Sequence, residues 1–158
     1  MTTFDQAFDT TVGHEGGYVN DQRDPGGETK YGISKRAYPS LDIKSLTLAD
    51  AKAIYKRDYW DRAQCDKLPP GLAFDVFDAA VNSGPGQAIR WLQRAVGVAD
   101  DGVVGPLTLA AVKRLEPEAL QARYNGQRLD FMTRLSTWEV FSRGWARRIA
   151  HNLMSIGG

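Results

Sequence analysis

Apolar residues recur every three or four positions along most of this 158-residue chain. That spacing places them on one face of a helix, and it predicts six or seven helices. The first helix begins after Thr3, which forms a capping box with Gln6, and it is expected to end near the glycine pair 16–17. Later helices begin at Thr47 or at prolines and end at glycines such as Gly84 and Gly97. The last helix carries an apolar stripe formed by Trp138, Phe141, Trp145, Ile149, Leu153 and Ile156.

One early stretch breaks the helical pattern. Residues 18–34 contain the turn sequence Asp24-Pro25-Gly26-Gly27, and short extended pieces at 18–19 and 29–33 are able to pair as a small hairpin. Strands and helices do not alternate along the chain. The predicted fold class is therefore mostly α, with a small irregular or β-hairpin insertion after the first helix.

Composition narrows the class of protein further. Hydrophobic residues make up 42% of the chain, enough for one folded domain, and the net charge of +1 gives no indication of nucleic-acid binding. Arginines concentrate in the last third, where a solvated helix face is favoured over weak contact with an anionic surface. Cys65 is the single cysteine, which excludes an internal disulfide, and we expect neither a metal nor a cofactor. Without a signal-like N-terminus, we expect synthesis in the cytoplasm.

The acidic, glycine-rich stretch 12–34 holds the candidate chemistry. Cleavage of a glycosidic bond needs a protonated carboxyl and an ionised carboxylate on opposite sides of the bond. Glu15, flanked by apolar residues, is the candidate acid, Asp24 in its polar turn is the candidate base, and Thr29 is placed to hold a water. If Asp24 is not the base, Asp21, Glu28 or the substrate's own acetamido group takes that role. An ordinary surface loop is the alternative to a catalytic site.

The same residues carry a family resemblance. The sequence EGGYVNDQRDPGGETKYGIS closely resembles the opening motif of glycoside hydrolase family 108, N-acetylmuramidases common among phage endolysins. Residues 77–109 resemble the peptidoglycan-binding half of such proteins, and FSRGWARRI resembles their closing helix. The resemblance implies a single lysozyme-like domain over residues 1–158, with a catalytic half at 1–84 and a peptidoglycan-binding-like helical half at 85–158.

The resemblance also implies a function. The expected activity is hydrolysis of the β-1,4 bond between N-acetylmuramic acid and N-acetylglucosamine in peptidoglycan, with Glu15 as the catalytic acid and a monomer as the working form. Release to the wall through a holin is the expected route. The expected sugar contacts are Tyr18, Tyr31 and Gly32. A lytic transglycosylase and a non-catalytic wall-binding module are the alternatives.

Several other polar residues have two interpretations. Asn82 is able to bind an N-acetyl group from a cleft, or it is a plain helix-end signal. Asp75 and Asp78, three apart on one helix, favour a solvated face over a second acidic site. Trp91 is expected in the core. A thiol hydrolase pair of Cys65 and His14 is disfavoured, because Cys65 does not stand at a helix start that would lower its pKa.

Overall fold

The computed structural model describes residues 3–13 and 16–157. In these ranges the chain is mostly helical, with a small sheet between the first two helices, which confirms the predicted fold class. The α-helices are α1 Phe4–Thr11, α2 Leu48–Tyr55, α3 Pro70–Ser83, α4 Pro85–Val96, α5 Pro106–Arg114, α6 Pro117–Thr133 and α7 Trp138–Met154. A π-helical segment, Lys56–Asp61, continues α2, and a 3₁₀ turn, Cys65–Lys67, precedes α3. No helix in the described part of the chain has the length and apolar character needed to cross a bilayer.

Most helix boundaries follow the predicted local chemistry. Thr3 and Thr47 both form complete capping boxes, in which the hydroxyl accepts a backbone N–H and a side chain three residues on bonds back to the cap. Helices α3 to α6 each begin at a proline, whose missing N–H costs nothing at that position. Gly84 and Gly97 follow the ends of α3 and α4 with positive φ angles, as predicted.

The predicted end of α1 is wrong. The helix ends at Thr11 rather than near the glycine pair 16–17. The N–H groups of Val12 and Gly13 both donate to the carbonyl of Phe8, at 2.8 and 2.9 Å. Gly13 has φ +64°, so the first glycine after the helix already supplies the left-handed residue that terminates it.

The insertion after α1 is a three-stranded antiparallel sheet in the order β1-β2-β3. The strands are β1 Val19–Asn20, β2 Glu28–Lys30 and β3 Ile33–Ser34. Tyr31 and Gly32 join β2 to β3 with φ angles of 51° and 79°. Two consecutive positive φ angles define the tight turn whose twist matches that of the flanking strands. The predicted hairpin is therefore present, with one further strand.

Helix α3 lies at the centre of the molecule and packs against α1, α4 and α6. An aromatic cluster joins α3 to α1 and to the π-helical segment. The Phe77 ring on α3 lies 5.7 Å from the Phe4 ring and 5.6 Å from the Trp60 ring, in edge-to-face arrangements. Such pairs add to the free energy gained by removing the rings from water. Trp91 on α4 is fully buried, as predicted.

The apolar stripe of α7 is only half covered. Ile149 is buried, but Phe141 is 51% exposed and Ile156 lies beyond the end of the helix. The inward face of α7 instead carries Asn152, which is buried, and Arg148, which is partly buried, and both bond to a carboxylate on α3. The face of α7 that packs against α3 is thus the one that carries Arg148 and Asn152, which bond to Asp78. Part of the apolar stripe of α7, including Phe141, lies outside this packed face.

Candidate active site

The chain after α1 is anchored to the β2–β3 turn by the residue that follows Glu15. The backbone N–H of Tyr31 donates to the carbonyl of Gly16. Gly16 has φ +90°, and a Cβ at this position would lie 3.3 Å from the Tyr31 Cα. Glycine is therefore needed for the two segments to approach. Glu15 and its neighbour His14 lie outside the described residues, so the burial of Glu15 and its separation from Asp24 stay predictions.

Asp24 lies in the exposed turn between β1 and β2. Its carboxylate Oδ1 accepts the Gly26 N–H at 2.8 Å, and its carbonyl accepts the Gly27 N–H at 3.0 Å. This arrangement is a turn in which an aspartate side chain bonds to the backbone two residues on. One carboxylate oxygen is thus held by the loop, which fixes the orientation of the group.

The structure brings Asp24 and Thr29 together around Gly26. A Cβ on Gly26 would lie 3.3 Å from the Asp24 Oδ1 and 3.9 Å from the Thr29 Cγ2. Thr29 is half-buried at the centre of β2, where it pairs with Val19 on one side and Ser34 on the other. The candidate base in the turn and the candidate water-holding residue in β2 therefore both border Gly26, Asp24 through its carboxylate and Thr29 through its methyl group. Their catalytic roles stay predictions.

The two alternative bases are placed differently. Asp21 accepts the Arg23 side chain at 3.1 and 3.2 Å, and these hydrogen bonds from Arg23 hold the pKa of Asp21 below its ordinary value. Glu28 is half-buried in β2, and partial burial together with this neighbouring carboxylate raises the pKa of Tyr18. Asp21 is thus engaged by a guanidinium, whereas Asp24 accepts a backbone N–H.

Tyr31 and Gly32, two of the predicted sugar contacts, form the β2–β3 turn and pack against Tyr55. The Tyr55 hydroxyl donates to the Tyr31 carbonyl at 2.9 Å, and a Cβ on Gly32 would lie 2.5 Å from that hydroxyl oxygen. The Lys30 ammonium lies 5.7 Å from the centre of the half-buried Tyr31 ring. Gly32 is thus needed for the turn, and contact of Tyr18, Tyr31 or Gly32 with a sugar stays a prediction.

Asn82 stands at the exposed end of α3, in the wall of a pocket between α3, α4, α6 and α7. Its amide N–H donates to the Asp78 carbonyl at 2.7 Å, one turn back along the helix. One of the two amide hydrogens of Asn82 is therefore engaged within α3. Binding of an N-acetyl group by Asn82 stays a prediction.

The expectation that Asp75 and Asp78 lie on a solvated face is wrong. Both are buried, at 1% and 3% exposure. Asp78 accepts the Arg128 guanidinium at 2.7 Å, the Arg148 guanidinium at 2.6 Å and the Asn152 amide at 3.2 Å. Burial of this carboxylate is tolerated because two cations and an amide replace its water.

Asp75 has only neutral partners. Its Oδ2 accepts the Gln121 amide at 3.2 Å and the Asn125 amide at 3.0 Å. Burial disfavours the charged form and raises the pKa of Asp75 to about 7, against an ordinary value of 3.8. The group therefore changes protonation near neutral pH inside the fold.

A sequence signal for this buried cluster exists around Asp78. The segment FDVFDAAV is apolar on every side of α3 apart from its two aspartates, and a helix that is apolar all round is a buried helix. Its partners leave no such signal, because Arg128 and Arg148 are 50 and 70 residues away along the chain.

Burial distinguishes the remaining candidates, which are Cys65 and the arginines of the last third of the chain. Cys65 is buried, and burial raises the pKa of its thiol well above the ordinary range, so it is a poor nucleophile. The arginines of the last third divide into two kinds. Arg128 is buried and Arg148 is bonded to Asp78, whereas Arg143 and Arg147 are exposed on α7.

Comparison with known proteins places these features in a family. The family model for glycosyl hydrolase 108 matches residues 8–84, and the model for a predicted peptidoglycan domain matches residues 87–150. The solved structure of Brucella abortus SagA is 34% identical and superposes with a TM-score of 0.84, covering 96% of this chain and 91% of that one. A search of curated proteins finds no match.

This chain is a glycoside hydrolase of the cell wall with a mostly helical, lysozyme-like fold. It belongs to the glycosyl hydrolase 108 family, and peptidoglycan is its substrate. The first matched segment contains Glu15, Asp24 and Thr29, and the second contains α6 and most of α4 and α7.

Proposed function

We propose that the protein is an N-acetylmuramidase that hydrolyses the β-1,4 bond between N-acetylmuramic acid and N-acetylglucosamine. The observation that carries the proposal is that the Asp24 carboxylate and the Thr29 side chain both border Gly26, beside the β2–β3 turn to which Gly16 is bonded. A glycosidase needs carboxyl groups on the two sides of the scissile bond. Asp24 in the β1–β2 turn is one candidate, and Glu15 of the family motif is the other.

In the proposed reaction Glu15 is the general acid. Its proton passes to the glycosidic oxygen as the bond from that oxygen to the anomeric carbon breaks. Asp24 accepts a proton from a water whose oxygen forms the new bond to the anomeric carbon, and the Thr29 hydroxyl orients that water. Such a reaction inverts the anomeric configuration, and it needs carboxyl groups roughly 6.5–9.5 Å apart to leave room for the water.

The products of digestion separate this proposal from its alternatives. Purified peptidoglycan is digested, and the released muropeptides are analysed by mass spectrometry before and after borohydride reduction. Reducible ends on N-acetylmuramic acid are the expected result. Ends carrying 1,6-anhydro sugars would instead identify a lytic transglycosylase, and bound but uncleaved wall would identify a binding module.

We also propose that the protein acts as a phage endolysin and reaches the wall after release from the cytoplasm through a holin. Resemblance of the motif at residues 15–34 to phage endolysins supports this. Expression in a bacterial host should leave cells intact until the inner membrane is permeabilised with chloroform, and culture turbidity should then fall. Lysis without permeabilisation would contradict a holin-dependent route.

A further inference from the structure

Residues 14–15 lie in the sequence between two segments that backbone hydrogen bonds hold in place. Before them, the Gly13 N–H donates to the Phe8 carbonyl at 2.9 Å, where α1 ends. After them, the Gly16 carbonyl accepts the N–H of Tyr31 in the β2–β3 turn. The two ends of this short stretch are therefore set by Phe8 on α1 and by Tyr31 in the turn.

One side chain contacts both of these residues. Tyr55 is the last residue of α2, and its side chain is buried. Its hydroxyl donates to the Tyr31 carbonyl at 2.9 Å, and the centre of its ring lies 5.8 Å from that of Phe8. Tyr55 therefore joins the turn that holds Gly16 to the helix that precedes Glu15 in the chain.

The Tyr55 ring is packed on several sides, which fixes the direction of its hydroxyl. The ring of Tyr59 lies 4.8 Å away, and that of Phe77 on α3 lies 6.4 Å away. On the side of the turn, a Cβ on Gly32 would lie 2.5 Å from the hydroxyl oxygen, so only glycine leaves room for it. The hydroxyl is thus pre-organised towards the turn, as the support of a functional site requires.

The Tyr55 hydroxyl acts as a hydrogen-bond donor and not as an acid or a base. Burial raises the pKa of Tyr55 well above its ordinary value, so the group keeps its proton at neutral pH. The residue is 3% exposed, which keeps a substrate away from it. Any effect of Tyr55 on a reaction must therefore pass through the residues that it holds.

We propose that Tyr55 is a positioning residue for the catalytic acid. Its hydroxyl holds Tyr31, Tyr31 holds Gly16, and Gly16 is covalently joined to Glu15. The proposal rests on the proposed function for the role of Glu15. A general acid must stand within hydrogen-bond reach of the oxygen that it protonates, so a small displacement of its backbone lowers the rate.

Tyr55→Phe removes the hydroxyl and keeps the ring that packs against Phe8 and Phe77. With soluble, uncrosslinked peptidoglycan strands as substrate, we expect kcat to fall about 10- to 100-fold, because a displacement of about 1 Å has effects of that size. KM should change less than about twofold, since the lost contribution is made in the transition state. A kcat within about twofold of the wild-type value would overturn the proposal.

Tyr124→Phe is the matched control. The Tyr124 hydroxyl is also buried and also donates to a backbone carbonyl at 2.9 Å, that of Ala88, but it joins α6 to α4. Each variant loses one bond of the same kind, so the midpoints of urea unfolding should fall by similar amounts. Only Tyr55→Phe should lose activity. Equal losses of kcat in the two variants would overturn the proposal, because they would show a general loosening of the fold.

A double variant tests whether Tyr55 acts through Glu15. The residual release of reducing ends by Glu15→Gln is compared, in long incubations, with that by Glu15→Gln/Tyr55→Phe. Without an acidic proton there is no acid to position, so loss of the hydroxyl should change the residual rate less than about twofold. A further loss as large as that in the wild-type background would overturn the proposal, because Tyr55 would then act independently of Glu15.

Hydrogen exchange at the Tyr31 amide reports the bond to Gly16 without reference to activity. In ¹H–¹⁵N NMR spectra this amide should be protected in the wild type, and it should exchange about tenfold faster in Tyr55→Phe. Tyr124→Phe should leave its exchange unchanged. An unprotected Tyr31 amide in the wild-type protein would overturn the proposal, whether or not a variant folds.

The two proposals fail separately. Release of reducible ends from the wall, together with a Tyr55→Phe loss that persists without Glu15, would overturn the positioning role alone. Release of 1,6-anhydro ends, together with a Tyr55→Phe loss that disappears without Glu15, would overturn the hydrolytic mechanism and leave the positioning role in place.

Discussion

At the scale of single residues, the β2–β3 turn shows how closely the sheet is fitted to the helical core. Gly32 has φ +79°, and its α-carbon faces the Tyr55 hydroxyl. We expect Gly32→Ala to lower the free energy of unfolding by about 1–3 kcal/mol, the usual cost of a non-glycine residue in this conformation. Gly126→Ala, in an open position of α6, should instead stabilise by about 0.5–1 kcal/mol. Urea unfolding measures both, and equal effects would contradict the packing described for the turn.

Asp75 predicts a pH dependence. Its pKa is raised to about 7 by burial, so the folded protein holds a proton that the unfolded chain loses near pH 4. Between pH 4 and pH 7 the unfolded state binds fewer protons than the folded state. The contribution of Asp75 to the free energy of unfolding is therefore largest below pH 4, and it decreases as the pH rises to about 7. At about 1.4 kcal/mol for each unit of pKa difference, the loss is on the order of 4 kcal/mol.

Asp75→Asn tests that dependence, because an amide resembles the protonated carboxyl in shape and carries no charge. The variant should be more stable than the wild type at pH 8 and similar to it at pH 4. Thermal unfolding across this range gives the comparison. If the unfolding midpoints of the two proteins instead differ by the same amount at every pH, then the pKa of Asp75 is the same in the folded and unfolded states. Asp75 would then be ionised in the folded protein at neutral pH, and its raised pKa would be contradicted.

At the scale of elements, α7 combines structural and exposed arginines. Arg143 and Arg147 are exposed, whereas Arg148 bonds to buried Asp78. If Arg143 and Arg147 attract the protein to an anionic wall, the double variant Arg143→Gln/Arg147→Gln should bind walls more weakly than the wild type. Its wall binding should also depend less on salt concentration, since exposed charges are screened within about 8 Å at physiological salt. Sedimentation with purified walls at several salt concentrations measures this. Unchanged salt dependence would leave these arginines as a solvated face.

Helix boundaries were predictable wherever one local device determines them. Capping boxes at Thr3 and Thr47 and the prolines that open α3 to α6 act through bonds within a few residues, so the sequence alone locates them. The end of α1 was not predictable in this way, because three glycines follow it within six residues of Thr11. Only the folded chain shows that Gly13 ends the helix and Gly16 makes room for the β2–β3 turn.

At the scale of the whole molecule, the two family segments share one buried ionic cluster. Asp78 belongs to the first segment, and Arg128 and Arg148 belong to the second. Breaking such a pair leaves a buried charge, which costs about 3–5 kcal/mol. We therefore expect one cooperative unfolding transition, with coincident curves from far-ultraviolet circular dichroism and tryptophan fluorescence. Two separate transitions would show that the segments fold independently.

The sequence predicted those parts of the candidate site that depend on residues close together along the chain. Glu15, Asp24 and Thr29 lie within 15 residues of one another, and the turn chemistry between them is local. The Asp78 cluster and the pocket beside it join side chains from α3, α4, α6 and α7, so their geometry follows from packing rather than from spacing. An all-round apolar α3 was the one available sign that its aspartates are buried.

The role of Glu15 as catalytic acid is tested by the rate at which Glu15→Gln releases reducing ends from peptidoglycan. The amide is similar in size but has no acidic proton to donate, so we expect a folded protein whose rate falls by about 10²–10⁴-fold. Glu139→Gln, an exposed position on α7, should keep the wild-type rate. Circular dichroism and the unfolding midpoint verify that both variants fold. A folded Glu15→Gln protein that releases reducing ends at the wild-type rate would contradict the assignment of Glu15 as the catalytic acid.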